Sequence, residues 1–333
     1  MNASKLSSFV LEEPGESVYI RQVYGDTLAE LGKSHDDLIV LDADLTTSTK
    51  TNVFGKQFPE RFFTMGVSEQ DMMATAAGFA LSGKRPFAST FAVFATGRAW
   101  EHVRQSIAFP RLNVKIVATH AGVTVGEDGA THQALEDVAL MRVLPNMTVI
   151  VPADAVETEQ VIRTLMETEG PAYVRLARVK FPTLFNDSYE FEVGKAQVLR
   201  EGSHVAILAI GIMVSEALEA AKMLEKEGVN AFVVNVSTVK PIDVDTIVKV
   251  ASETGAVITA EDHNIIGGLG GAVSEVLGEH CPTPIKRIGM RDRFGTSGKG
   301  LELLGYFGLK AENIVAAAHE LLDFDAGTRS VRI

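Results

Sequence analysis

Cysteine occurs once in this chain, at Cys281. A lone thiol excludes an internal disulfide framework and a cysteine-based zinc site, and it fits a reducing compartment, so the expected location is cytoplasmic. Positive charge is also short: 31 Lys and Arg against 43 Asp and Glu leave a formal net charge of −12. Affinity for nucleic-acid backbones comes mainly from clustered Lys and Arg, so small molecules or proteins are the expected partners and nucleic acid is not. Long apolar runs are missing. VAILAI (205–210) and VNAFVVNV (229–236) are strand-length, far below the ~20 residues of a membrane-spanning helix. The N-terminal stretch MNASKLSSFVLEEPGES lacks the basic start, long apolar run and small-residue cleavage site of a signal peptide, so no membrane is expected as a partner.

What is present is an ordinary globular composition, 46% hydrophobic and 22% charged with 29 Gly and 11 Pro, which excludes intrinsic disorder as a description of the whole chain. A length of 333 residues exceeds the ~100 to 150 residues of a usual domain, so two domains are expected. Short Val/Ile-rich runs, DLIVLDAD (37–44), NVKIVATH (113–120), MTVIVPAD (147–154) and AYVRLAR (172–178), alternate with helix-length segments at 17–32, 69–82, 92–107 and 155–168. That alternation marks a mostly parallel α/β sheet, with Asp154 as a helix cap. The stretch 179–195, with a proline, an Asn-Asp pair and no helical period, reads as a linker. A second unit follows, with strands near 204–209, 231–236, 256–260 and 284–289 and helices near 213–227, 243–252 and 269–279. The expected fold class is α/β: two doubly wound, mostly parallel-sheet domains over 15–180 and 193–325.

Glu69 lies in TMGVSEQDMMATAAGFALSGKRP (64–86), where a strand gives way to an Ala/Met-rich helix. One reading makes Ser68 the N-cap and Glu69 and Asp71 first-turn acids favoured by the helix dipole. The other sets Glu69 against apolar surroundings, where it is suited to share a proton with a buried ring nitrogen. A second cluster, THAGVTVGEDGATHQALED (119–137), brings His120, Glu127, Asp128 and His132 between glycines 122, 126 and 129. It follows a strand, where parallel sheets place their ligands. Its spacings match neither HExxH nor a structural-zinc pattern, so no metal is assigned to this chain, and solvated loop acids with incidental histidines remain the alternative. In STFAVFATGRAWEHVR (89–104), Phe91 and Phe94 are spaced as a packed pair on a helical start. GGLGG (267–271) does not fit GxGxxG and reads as a strand-to-helix turn.

Together these residues resemble a known family. The order ADLTTSTK, GVSEQDMMATAAGFA, STFAVF, THAGVTVGEDGATHQALED and VPAD, followed by VNVSTVKPID (234–243), EDHNIIGGLGGAVSEVL (261–277) and GMRDRFGTSG (289–298), is similar to the C-terminal half of transketolases. These thiamine-diphosphate enzymes transfer two-carbon ketol units. The resemblance spans nearly the whole chain and implies a pyrimidine-binding domain followed by a transketolase C-terminal domain. The family's GDG motif with a downstream Asn, which holds the diphosphate and its Mg²⁺ or Ca²⁺, is absent from the sequence. The resemblance therefore implies a separate N-terminal subunit carrying that site, with thiamine diphosphate shared between chains in a dimer of heterodimers.

By the same resemblance, Glu69 would contact the aminopyrimidine ring nitrogen of the cofactor and promote its imino tautomer, with Phe91 and Phe94 packed on that ring. Asp128 and His132 fall near the donor hydroxyls and the reacting centre. Arg21, Ser48, His120 and Arg178 match the sugar-phosphate contacts, and Asp44 falls near the substrate channel. Gly97 departs from the pattern, since many members carry tyrosine there; the space is either open or filled by Arg98 or a partner residue. Two other classes stay in view: another thiamine enzyme of this architecture, such as a 1-deoxyxylulose-5-phosphate synthase or a 2-oxoacid dehydrogenase β subunit, and a noncatalytic homologue. His120 bears on the choice, because the synthases place an arginine in that region. Intact Glu69, Asp128 and His132 count against the noncatalytic reading.

Overall fold

The computed structural model describes residues 5–330, leaving the first four residues of the N-terminal stretch and the last three of the chain outside the described part. In chain order the strands are β1 (Ser17–Val18), β2 (Leu38–Asp42), β3 (Phe62–Thr64), β4 (Arg85–Phe91), β5 (Lys115–Thr119), β6 (Thr148–Ile150) and β7 (Ala172–Arg175). They continue with β8 (Phe181–Pro182), β9 (Gln197–Arg200), β10 (Val205–Ala209), β11 (Ala231–Asn235), β12 (Thr238–Lys240), β13 (Val257–Asn264) and β14 (Ile285–Met290). β2, β5, β10 and β11 are buried at every residue, which explains why they read as unbroken apolar runs: strands covered by helices on both faces have no solvent side to alternate with.

The first sheet has the order β12-β6-β7-β5-β4-β2-β3, parallel except where β12 meets β6. The second has the order β14-β13-β10-β11-β9, parallel except for β9. Both are doubly wound α/β sheets. After β2 the chain adds β3 at one side and then β4 at the other, so the crevice beyond the carboxyl ends of β2 and β4 is a topological switch point, the usual ligand position in such sheets. β12 belongs by sequence to the second unit yet completes the edge of the first sheet.

Several local expectations are corrected. The helix expected over 17–32 begins at Ile20, because β1 takes the residues before it. Phe91 ends a buried strand instead of opening a helix; the run PFAST has the small and apolar side chains a central strand packs. The helix expected over 92–107 is two π-helical segments, Phe94–Arg98 and Val103–Ala108, around a short α turn at Trp100–His102. β4, β9, β12 and the helices Gly300–Tyr306 and Ala311–Ser330 went unread, being short or poorly periodic. GGLGG is a strand-to-helix turn, with Gly268 at the N-cap position of Leu269–His280.

The segment 179–195 is not a loose linker. β8 pairs antiparallel with β1, and Phe185 and Tyr189 are buried with rings stacked at 4.2 Å and 4°. Asp154 fastens it: one carboxylate oxygen caps the helix Ala155–Glu167 by accepting from Glu157 N at 2.9 Å, and the other accepts from Leu184 N and Phe185 N at 2.8 and 2.9 Å. Gln160 adds a hydrogen bond to the Tyr189 carbonyl at 2.6 Å. Replacing Asp154 by Ala strands three buried donors, and at ~1 to 3 kcal/mol for each unsatisfied group the expected loss is about 3 kcal/mol or more. Urea unfolding should show a clearly lowered midpoint for Asp154→Ala and a smaller drop for Asp154→Asn; an unchanged midpoint would show that the anchor is dispensable.

Candidate active site

Three loops meet at the switch-point crevice. The loop after β2 is organised by Asp42, which is fully buried. Its oxygens accept from Leu45 N at 2.6 Å, Thr49 Oγ1 at 2.6 Å and Thr51 Oγ1 at 2.8 Å. Burial pushes the Asp42 carboxyl up from its ordinary range, and these donors oppose that shift. The loop so formed presents Asp44, exposed and in the left-handed region at φ 64°. It also turns the Ser48 carbonyl toward Arg21, whose Nη1 donates to it at 2.7 Å.

Glu69 opens the helix Glu69–Leu81, and Ser68 stands at the N-cap position without a side-chain capping bond. The capping account of this segment therefore fails at Ser68. Glu69 is only 1% exposed, and its Oε2 accepts from Arg98 Nη1 at 2.8 Å. The Arg98 guanidinium also lies 4.7 Å from the centre of the Phe94 ring. The space beside Gly97 is empty out to 4 Å from where a Cβ would stand, so Arg98 reaches around that opening to Glu69. Arg98 closes the π-helical segment Phe94–Arg98, whose hydrogen bonds span one residue more than those of an α-helix.

Phe91 and Phe94 are stacked at 6.0 Å and 14°. His120 stacks on Phe91 at 3.9 Å and 21°, and His132 stands edge-on to Phe94 at 5.5 Å and 78°. Four rings from two separate loops thus form one wall. His120 sits at φ 58°, with Nδ1 2.8 Å from Thr119 Oγ1. Burial first, then Arg21, Arg178 and His132, push its imidazole down to about 3, so at neutral pH it is an uncharged ring. Asp128 lies exposed at the loop tip, apart from the ring wall.

The loop after β5 is held from the second sheet. Asp262 in β13 accepts from Val123 N at 2.9 Å, Thr124 N at 3.4 Å and Thr124 Oγ1 at 3.0 Å. Gly122, at φ +78°, permits this approach, since a Cβ there would meet Asp262 Oδ2 at 2.0 Å. Gln133 Nε2 donates to the carbonyls of Val123 at 3.1 Å and Thr296 at 2.9 Å. On the outer side, Arg178 donates to the Val125 carbonyl and pairs with Glu127. Arg21, Arg178 and Lys180 line one open cleft together with Tyr19 and Glu127. The structure therefore brings Glu69, Phe91, Phe94, His120 and His132 to one wall and Arg21 and Arg178 to a neighbouring cleft. Ser48 faces Arg21 through its carbonyl, and Asp44 and Asp128 stay at the solvent side.

Sequence reading passed over Asp42 and Asp262. Asp42 carried a readable signal, an acid at the end of an apolar strand followed by four threonines and a serine within nine residues. Asp262 had none, because its partners are 138 and 139 residues away. Among the described residues no group of three or more His, Cys, Asp or Glu could hold a metal ion, and no helix is long and apolar enough to cross a membrane.

A transketolase pyrimidine-binding domain matches residues 16–183, and a transketolase C-terminal domain matches residues 194–314. The chain belongs to the transketolase family. It is 52% identical over 298 residues to a Methanocaldococcus jannaschii protein provisionally described as a transketolase C-terminal section, covering 89% of this chain and 93% of that one. It is 44% identical to a 6-deoxy-6-sulfo-D-fructose transketolase subunit of a Clostridium species, covering 92% and 96%. Among solved structures, a split gene transketolase described as an inactive beta4 tetramer superposes with a TM-score of 0.86 at 53% identity, covering 92% of this chain and 99% of that chain.

The burial of His120 generates a pH test. Its folded value lies below the ordinary 6.5, so the unfolded chain takes up the proton first. The stability associated with the neutral ring is complete above pH 6.5 and is lost as pH falls toward 3. Nitrogen NMR shifts of the His120 ring should therefore report a neutral imidazole at pH 5; a titration centred near 6.5 in the folded chain would refute the buried, cation-flanked environment.

Proposed function

We propose that this chain is the C-terminal subunit of a split transketolase, transferring a two-carbon ketol unit from a ketose phosphate to an aldose phosphate together with a separate subunit that binds the cofactor's diphosphate and its Mg²⁺ or Ca²⁺. The observation that carries the reading is the buried carboxylate of Glu69, joined through Arg98 to Phe94, whose ring is stacked with that of Phe91. The space beside Gly97 adds room for a flat heteroaromatic ring against that wall, so the residues fit the pyrimidine half of thiamine diphosphate. When bound, that cofactor supplies the electron sink for the transferred unit.

The chain's own residues divide the remaining work. Glu69 presents a buried carboxylate oxygen at this wall, placed to share a proton with a ring nitrogen. Arg98 pairs with Oε2 in the free chain, and it must yield that oxygen, or keep to it alone, when a ring nitrogen takes up the other interaction. His132, at the edge of the ring wall, and Asp128, at the loop tip, are placed to orient substrate hydroxyls and to pass protons. His120, being neutral, is a hydrogen-bonding group and not a cation, so the phosphate charge is met by Arg21 and Arg178. The split-gene relative described as an inactive tetramer of one subunit type supports the need for a second kind of subunit, and the Clostridium relative, itself named as a subunit, agrees with a dimer of heterodimers. Relatives acting on phosphorylated and sulfonated sugars support a donor with an anionic group at its far end.

The direct test mixes the full chain with a thiamine-diphosphate subunit carrying GDG and a downstream Asn, with cofactor and Mg²⁺. Ketol transfer should appear only in the mixture, and Glu69→Ala should lower turnover by ~10²- to 10⁴-fold, the usual size of an acid-base contribution. Robust turnover by the single chain, or a Glu69→Ala mixture as fast as wild type, would defeat the assignment.

The arginine cleft calls for a comparison between donors. Loss of a charge-assisted hydrogen bond in Arg178→Ala should lower kcat/KM for a ketose phosphate roughly ten- to a hundredfold while leaving hydroxypyruvate, which has no phosphate, little changed. Because Arg178 also donates to the Val125 carbonyl, the hydroxypyruvate control is essential. Equal losses on both donors would mean that Arg178 supports the loop and not the phosphate.

A further inference from the structure

Two residues of the arginine cleft, Tyr19 and Lys180, have no part in the assignments above. The β1–β8 ribbon puts them there: Val18 pairs with Phe181, so the next positions outward, Tyr19 and Lys180, emerge at the same end. The Tyr19 ring is shared, with the Arg21 guanidinium 4.9 Å and the Lys180 Nζ 5.4 Å from its centre. Such contacts hold two cations in place on one aromatic surface.

The helix Ile20–Leu31 points its N-terminus into this cleft with no acid in its first turn and no side-chain cap. It carries Arg21 there instead, a cation at the positive end of the helix dipole, an arrangement that an anion would relieve. The Arg21 Nε is buried and without a hydrogen-bond partner. Among the described residues the acid that lines the cleft is Glu127, already paired with Arg178. Three cations, Arg21, Arg178 and Lys180, less one carboxylate, Glu127, leave a net charge of +2 on a cleft of about 370 Å³. A phosphate ester above its second pKa, about 6, carries two negative charges, whereas a sulfonate of nearly the same shape carries one. Without Lys180 the same count gives +1, which suits the sulfonate equally well.

We infer that Lys180, seated against Tyr19, makes this cleft selective for a dianionic phosphate over a monoanionic sulfonate at the far end of the sugar. The inference rests on the ketose-phosphate reading above and adds the residue that discriminates between anions of equal shape. Lys180 acts as a compact point charge at the cleft mouth, so its contribution scales with the charge of the ligand and not with its hydrogen-bond pattern. Glu127 works in the opposite direction by holding Arg178, so the cation count and not the number of arginines sets the preference.

All the residues belong to this chain, so the test starts without the second subunit. Calorimetric titration of the full chain at pH 8 and low ionic strength, with D-fructose 6-phosphate and with 6-deoxy-6-sulfo-D-fructose, should show the phosphate binding roughly tenfold more tightly. Lys180→Gln should reduce that preference to about twofold by weakening the dianionic phosphate more than the monoanionic sulfonate, and Lys180→Arg should restore most of it. Lys180 is exposed, so folding is not at stake, and circular dichroism verifies this. A Lys180→Gln chain that keeps the full preference, or loses both ligands equally, overturns the inference and leaves the ketose-phosphate reading standing. Failure of the sugar phosphate to bind both the wild-type chain alone and its mixture with the diphosphate-binding subunit removes that reading and the inference together.

Discussion

The carboxylate of Asp262 receives two backbone N–H groups and a hydroxyl from the loop after β5 while completely enclosed between the two sheets. Most of the site hangs from this contact, because the same loop carries His120, Glu127, Asp128 and His132. A glycine-rich loop has many conformations to lose, and a buried anion with three donors selects one of them. Arg175 reinforces the seam: its Nη2 donates to the carbonyls of Ala134 at 3.2 Å and Asp262 at 2.8 Å, and its Nε pairs with the buried Asp137 at 2.8 Å. The second sheet contributes none of the ring wall, yet it fixes the loop that completes it. Neither half of the molecule is a spectator.

Electrostatically the site is segregated. Along the ring wall the groups are neutral or internally paired: His120 is uncharged and Glu69 is matched by Arg98. In the neighbouring cleft positive charge is left in excess. A substrate that is apolar and electrophilic at one end and anionic at the other is thereby oriented before any contact is made to its middle, since field and shape agree on direction. The excess positive charge is conspicuous in a chain whose formal net charge is −12, and it comes from the first turn of the helix that follows β1 and from the turn between β7 and β8.

The sheets were legible in the sequence because strands buried on both faces leave continuous Val, Ile and Ala runs, and DLIVLDAD, NVKIVATH and VAILAI are of that kind. Asp154 was legible as a cap because its partner Glu157 is three residues away. What escaped reading depended on distance or on subtlety of period. The π-helical segments from Phe94 onward differ from an α-helix by one residue in the hydrogen-bond step, which hydrophobic spacing does not register. The docking of 179–195 depends on Phe185 and Tyr189 finding Asp154 and Glu157, about thirty residues earlier, so a segment rich in turn formers looked unstructured. The motifs identified Glu69, Phe91, Phe94, His120 and His132 as a set, and the structure places those five side chains around one crevice. The motifs were silent about Arg98 as the partner of Glu69, which lies 29 residues away.

β12 has a consequence for how the two halves of this chain can be treated. It pairs with β6 through Thr238 and Lys240, so the outermost strand of the first sheet is drawn from beyond the segment that joins the halves. A fragment ending near residue 190 would uncover the backbone groups of β6 as an unprotected, short and apolar rim, a surface that invites strand addition from another molecule. The two sheets are therefore one unit of inheritance and of engineering: exchanging the C-terminal half between relatives also exchanges the edge of the half that carries the site, and a chimera has to move its joint past Lys240.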